Sequence, residues 1–519
     1  MPPYTTPGVH IEEIPSFPPS VAPVATAVPA FIGCTEKARR DEPGDLHQVP
    51  TRIESLVEFQ ELFGGPPRET AVTVAITETT DSSPEGAGFA AAATLSDADR
   101  SPHLLFPSLR LFFANGGGSC YIVSSGRFMD DDTPDDGDDP TPGDDTTDDD
   151  DTTDDDGTGG AAGGGTGGGG SGSAAVDPGL TVDAFEAAIG ALEAVDEPTL
   201  LVIPEAQQLE DIGDFSGVWN TALAQCLELG DRFALLDLFG ADDAVDRAAL
   251  NSAVTAFRDD GPNIALDRGA AYAPNLVTRY DVVVEASATE VAHTVDHGSP
   301  TTKTLDEWMT ANTQVHERAV AAIRDLPVVL APSAAIAGIC ARIDGERGVW
   351  KAPANVALVD VLRPTVEVTD AQQGTLNIDP SGKSINAIRT RTGRGTVVWG
   401  ARTLAGNSNE WRYVSVRRFF LFAEESIRKA TEQFVFEPND ANTWVKVQSM
   451  IENFLTLQWR AGALQGVKPE HAFYVAVGLG RTMTAMDILE GRMIVEIGMA
   501  AVRPAEFIVL RFSHTMAQS

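Results

Sequence analysis

Lysine is nearly missing from this chain. Of its 519 residues, seven are Lys and thirty are Arg, set against 76 acidic side chains, for a net charge of −39. Phosphate backbones are gripped by clustered Lys and Arg, so this balance excludes nucleic acid as an expected partner. Cysteine is scarce as well. Cys34, Cys120, Cys226 and Cys340 lie too far apart for a metal knuckle or a CxxC redox pair, and each stands in apolar surroundings as a small core residue. No apolar run reaches the ~20 residues that span a bilayer, and the N-terminus lacks a basic stretch followed by an apolar one. The expectation is a soluble chain, assembled in the cytoplasm without a signal peptide and with no direct membrane insertion. There is no HExxH and no GxSxG, and the eight His make no triad by spacing. No enzymatic activity, cofactor or metal is expected.

What is abundant is acid. The 16 aspartates between 130 and 156 account for less than half of the net charge, so the acidity is global. Acid-rich, Lys-poor surfaces resemble those of proteins working in high salt, where counterions screen self-repulsion. Residues 130–175, Asp/Thr/Pro-rich and then Gly-rich, lack the apolar content to offset ordering entropy and are expected to form a disordered loop. Calcium binding by the Asp run is conceivable, but no pattern positions the carboxylates, and a solvated loop is preferred.

The opening YTTPGVHIEEIP reads as a short strand between Pro7 and Pro15, followed by the stiff spacer PSFPPSVAP. It is a strand of this chain's own sheet, a disordered terminus, or an arm that adds to another molecule's sheet. From residue 26 on, apolar strands (PAFIGC, CYIVSS, TLLVIP, RFALLDLF) alternate with helical patterns, which implies a sheet covered by helices. Ile53, Leu56, Val57 and Leu62 have helical spacing, with Thr51 as the expected cap. Residues 68–101 and 280–320 read as two separate decorations. His293 and His297 of the second are expected to be exposed, since a β pattern spoils i, i+4 ligation. The last third carries two long amphipathic helices (415–436, 442–464) and three strand patterns (471–480, 491–502, 504–514).

SGKS at 381–384 ends like a phosphate loop, but the glycine needed five residues earlier is Asn377, and a β pattern follows. Replacing Lys383 with Ala is therefore expected to leave assembly unchanged.

The runs WKAPAN (350–355), GRGTVVWGARTL (393–404), RYVSVRR (412–418), EESIRKAT (424–431), FLTLQWRAGALQG (454–466), VGLGRTM (477–483) and VRPAEFIVLRF (502–512) resemble the tail sheath proteins of contractile phage tails and phage-like injection systems. YTTPGVHIEEI is similar to that family's N-terminal arm. The resemblance implies an α+β multidomain chain: an arm and linker at 1–22, an α/β middle region at 23–355 with surface insertions, a C-terminal sheath domain at 356–503 completed by strand addition between subunits, and a C-terminal arm at 504–519. It implies a structural subunit that polymerises around an inner tube, between a baseplate and a terminal cap, and contracts to drive the tube. Thr6, Val9, Ile11, Glu12 and Ile14, with Phe507, Ile508, Val509, Leu510, Arg511 and Phe512, would be arm strands. Met493, Val495 and Ile497 would belong to the accepting sheet. Arg417, Arg418, Glu424, Glu425, Arg428, Lys429 and Asp440 would be charges contacting the tube or a neighbour. An acidic surface-layer or adhesive protein, or a nucleotide-using enzyme, are the alternatives.

Overall fold

The computed structural model describes residues 20–80, 88–128, 180–242 and 244–509. The N-terminal arm, Leu510, Arg511, Phe512 and the Asp/Gly-rich segment lie outside the described residues.

A nine-stranded sheet organises the middle of the chain. Its order is Val356–Ala357, Gly395–Val398, Ile385–Arg391, Gly269–Ala273, Phe233–Leu236, Leu200–Val202, Pro29–Thr35, Cys120–Arg127 and Thr51–Ile53. The six inner strands run parallel, and the outermost pairings are antiparallel. Parallel strands buried on both faces call for near-continuous apolar runs, and the central ones, Leu200–Val202, Phe233–Leu236 and Gly269–Ala273, have them. Ala30, Ile32, Leu201, Ala234 and Leu236 face helices Val182–Ala191, Ile212–Leu229 and Arg247–Asp259. Phe31, Leu200, Val202, Phe233 and Leu235 face the opposite layer, formed by Leu105–Ala114 and Ser333–Arg347. These two helices touch closely at Gly338, where a Cβ would sit 2.5 Å from the Phe112 carbonyl oxygen. All four cysteines are buried and none is in a disulfide.

Strands between 356 and 398 are hydrogen-bonded members of this sheet. The division drawn at 355/356 therefore falls inside one sheet, because the last strands of the α/β layer come after the long helix Ser333–Arg347. Thr51 does not cap a helix. It sits in a strand paired with Ile122, and the helix Leu56–Phe63 starts instead at Ser55, whose Oγ accepts the Glu58 N–H at 3.2 Å. A helical spacing that included Ile53 was coincidence, since Ile53 is buried as a strand residue.

The two decorations are one lateral domain. Strand Thr73–Thr79 pairs in parallel with Glu290–Val295, inside a four-stranded sheet completed by Gly88–Thr94 and Thr301–Thr304. Val74, Ile76, Val291, Trp308, Val315 and Ile323 form its separate core, over helices Leu305–Ala311 and Thr313–Arg324. His293 is buried there, contrary to the expectation of exposure: its Nε2 lies 3.0 Å from the Glu78 carboxylate, and its ring meets Trp308 edge-on. Alternation places His293 on the inward face, and pairing with a carboxylate from a strand 215 residues away makes burial tolerable. His297 is exposed.

Candidate assembly interface

After Gly400 the chain leaves the large sheet for a helix pair, Val414–Thr431 and Ala441–Ala461. Phe419, Phe422, Ala423 and Ile427 of the first recur at helical spacing and pack on Val447, Met450, Ile451, Phe454 and Leu455 of the second. Asp440 starts the second helix by accepting the N–H groups of Asn442 and Thr443 at 2.9 and 3.0 Å, and Gly462 ends it in a left-handed turn. Asp440 is thus engaged as a cap.

Against this pair lies a sheet of two antiparallel strands, Phe473–Val477 and Val495–Met499. Val475 and Val477 turn inward and Tyr474 outward. Two strands alone are marginal in water, and here both outer backbone edges are unpaired among the described residues. Between the second strand and the first helix runs an apolar groove of ≈ 1070 Å³, lined by Phe420, Ile427, Phe434, Met493, Val495 and Ile497 among others. Phe436 stands fully exposed at its rim. The expected acceptor residues Met493, Val495 and Ile497 all line this groove.

The described part of the third strand pattern, 504–509, forms no strand among the described residues. Residues 503–509 are extended without backbone partners among the described residues, and Phe507, Ile508 and Val509 are 69%, 79% and 77% exposed. The arm leaves from a fixed root. Glu506 accepts from Arg402 at 2.7 and 3.0 Å, from Asn377 Nδ2 at 2.6 Å and from Tyr413 Oη at 3.1 Å. Burial alone would raise this carboxyl, but the bonds from Arg402 and Asn377 outweigh it and hold the pKa below its ordinary value. None of these four residues was among the expected site residues. The usable signal was Glu506 itself, a lone acid opening an apolar run.

The candidate contact charges divide. Arg418 is buried and bidentate to Asp344, at 2.6 and 3.2 Å, and it also donates to the Thr26 carbonyl at 2.7 Å. It ties the first helix, the Ser333–Arg347 helix and the incoming N-terminal chain together. Arg417 is buried 3.3 Å from Asp267 with its guanidinium over the Trp411 ring. Glu425 is buried and accepts both ends of the Arg428 fork at 2.6 Å. Their burial shares one cause: the helix turns 417, 418 and 425 toward the rest of the chain, whereas helical periodicity alone reveals only its most apolar face. Glu424 and Arg428 are exposed and Lys429 half-buried, with Lys429 and Arg428 reaching Asp196 at 2.7 and 3.2 Å.

The carboxyl ends of parallel strands, where open α/β sheets bind ligands, are filled from within. Glu205 accepts the N–H groups of Cys34, Leu104 and Leu105 at 2.6–2.8 Å. Gln207 and Asn275 bond each other. Asp237 accepts from Ser333 N–H and Oγ at 2.9 and 2.5 Å, and burial pushes its carboxyl up to about 7. Lys383 reaches no phosphate loop; its ammonium donates to the carbonyls of Phe257, Arg258 and Gly261 at 2.9–3.3 Å, finishing the helix Arg247–Asp259. Among the described residues no group of three His, Cys, Asp or Glu could hold a metal, and no helix is long and apolar enough to cross a membrane.

Comparison with known proteins agrees with this geometry. Residues 237–404 match the phage tail sheath protein central domain, and 407–515 the phage tail sheath C-terminal domain. The tail sheath protein of Enterobacteria phage T4 is 29% identical over 114 residues, 21% of this chain but only 17% of that protein's length. The anti-feeding prophage helical sheath in its contracted state is 31% identical, with 98% of this chain and 99% of that one covered and a TM-score of 0.57. The sheath complex of the extracellular contractile injection system PVC, also contracted, is 27% identical, with 98% of each chain covered and a TM-score of 0.57. Neither alternative function gains support from these matches. Full-length similarity to a solved helical sheath, together with both sheath domain models, establishes that this chain belongs to the phage tail sheath family as a structural sheath subunit.

Proposed function

We propose that this subunit polymerises around an inner tube by exchanging its terminal strands with neighbouring copies, and that the polymer shortens without losing those links. The observation that carries the reading is a sheet of two strands beside an apolar groove, in a chain whose own arm 507–509 is apolar and exposed, both without further strand partners among the described residues. Strand addition satisfies the backbone of both parties and fills the groove with side chains such as Phe507 and Val509. The N-terminal residues Thr6, Val9, Ile11, Glu12 and Ile14 and the C-terminal residues Phe507 to Phe512 are the donated strands. Met493, Val495 and Ile497 receive them.

Head-to-tail contacts of this kind do not close on themselves, so the polymer grows as a filament. If the extended form is metastable, contraction needs no nucleotide at firing, and ~1–2 kcal/mol per subunit sums over many copies. The chain has no enzymatic role in this scheme. Its partners are further copies of itself, the inner tube through 437–468, a baseplate and a terminal cap, within a phage-like particle in a high-salt setting. The hinge must precede Val21, because Val24 N–H is bonded to Ser426 Oγ and Thr26 to Arg418.

Deleting residues 1–15 is expected to leave a folded monomer, with unchanged circular dichroism and denaturant midpoint, that forms no long tubes by negative-stain electron microscopy. Tubes of normal length from that chain would refute the reading.

A further inference from the structure

The roots of both arms are held by one short stretch of the chain. On the N-terminal side, Val24 N–H donates to Ser426 Oγ at 3.2 Å, and the Thr26 carbonyl accepts from Arg418 at 2.7 Å. Both partners stand on the helix Val414–Thr431, and both are buried. On the C-terminal side, Glu506 is held by Arg402 and Tyr413, which lie just before that helix, and by Asn377. The backbones of Arg402 and Tyr413 form an antiparallel bridge. It is continued by Thr403 N–H to the Arg412 carbonyl at 2.9 Å and by Val414 N–H to the Ala401 carbonyl at 3.0 Å. Asn386, itself buried, braces Arg402 against the large sheet: it accepts the Arg402 N–H at 2.7 Å and donates to the Arg402 and Ala271 carbonyls at 2.8 and 3.1 Å. Ala271 and Asn386 sit on paired strands of that sheet.

We infer that residues 402–426 are a strut through which a pull on one arm reaches the other, with Glu506 and Ser426 as positioning residues that fix where the two arms leave it. The inference rests on the strand-exchange reading above. From Tyr413 to Ser426 the strut is helix, about 20 Å long at ~1.5 Å per residue. Phe419, Phe422 and Ala423 pack it against the second helix, so it has little room to bend. If neighbours hold a subunit by its arms, the force between them crosses this piece, and the lateral domain is carried beside the path. Bending between copies then falls outside the two clamps, before Val21 and after Glu506. A clamped root also leaves fewer residues to be ordered when an arm joins a neighbour's sheet, which lowers the entropic cost of each link.

The test separates the clamps from the arms, in the full chain. Glu506→Ala keeps the whole arm and removes its root contacts. It is expected to raise by about tenfold or more the lowest subunit concentration that yields sedimentable tubes, the scale of a lost charge-assisted hydrogen bond. Glu506→Gln, which keeps an acceptor for Arg402, is expected to fall between the parent and the Ala variant. Ser426→Ala, which takes the acceptor from Val24 N–H, is expected to raise the threshold about fivefold. Tubes at the parental threshold from Glu506→Ala or Ser426→Ala, while deletion of 504–519 forms none, would overturn the strut and leave strand exchange standing. Normal tubes from that deletion would overturn both. A monomer readout accompanies assembly, because Glu506→Ala also strips Arg402 of its counter-charge. Phe507 and Leu227 are exposed, Leu227 on the helix Ile212–Leu229, and the native cysteines are buried. Nitroxides on Phe507→Cys and Leu227→Cys are expected to give a narrow distance distribution in the parent and a broad one in Glu506→Ala, or in Glu506→Gln if the Ala variant melts early. Equal widths would overturn the clamp.

Discussion

The large sheet and the C-terminal hairpin are built from the same kinds of residues, yet one is finished and the other is not. In the sheet, Phe31, Leu200 and Phe233 have a helix layer on one side while Ala30, Leu201 and Ala234 have another. Each inner strand is paired on both edges. In the hairpin, Val475 and Val477 are covered by the helix pair, while Ile497 and Val495 border an open groove and both backbone edges are unpaired among the described residues. The lesson is that completeness is local. A chain can complete one block within itself and leave a second with open edges, which on the strand-exchange proposal are filled by other copies.

Substitutions can sharpen this contrast, because damage to the finished block should appear in the monomer, whereas damage to the unfinished one should appear only in the polymer. The largest monomer effect is expected for Arg418→Ala. It strands Asp344 in a buried site and frees the Thr26 carbonyl, at a cost of about 3–5 kcal/mol in urea unfolding. A loss under ~1 kcal/mol would mean that the pair behaves as a surface contact.

Lys383→Ala comes next. It leaves three helix-terminal carbonyls without their donor, so the denaturant midpoint should fall by the equivalent of about 1–3 kcal/mol, with tubes still forming once the chain is folded. The sequence pattern suggested no consequence because it asked only about phosphate.

The smallest loss, and the change most diagnostic in sign, belongs to Asp237. Its native carboxyl titrates at about 7, above the ordinary carboxylate range, so the folded state holds a proton that the unfolded state has released. This group's contribution to stability therefore declines as pH rises from about 4 to about 7 and levels off above that. Asp237→Asn should remove that part of the slope, so that the variant gains stability relative to the parent as pH rises from about 4 to about 7. Parallel stability–pH curves for parent and variant would contradict the burial argument.

Local order was readable where one element carries its own evidence. TLLVIP and RFALLDLF announced buried strands, and Phe419, Ala423 and Ile427 announced a helix face, because periodicity records which side of an element meets apolar surroundings. The two decorations could not be joined on such evidence. Val74 and Val291 are 217 residues apart, and their pairing depends on where the intervening sheet sets them down. The same limit hid Glu506, whose partners Asn377, Arg402 and Tyr413 come from three separate stretches.

By itself the sequence determined the acid-dominated surface, the helix-covered parallel sheet, the amphipathic helix pair and the family, since each is written in composition, in short-range period or in long runs of matching residues. Only the tertiary structure decided which charges are paired inside the chain and which strand edges stay open among the described residues. Those outcomes depend on contacts between distant segments, and a buried Arg reads the same along the chain as one that waits for a partner.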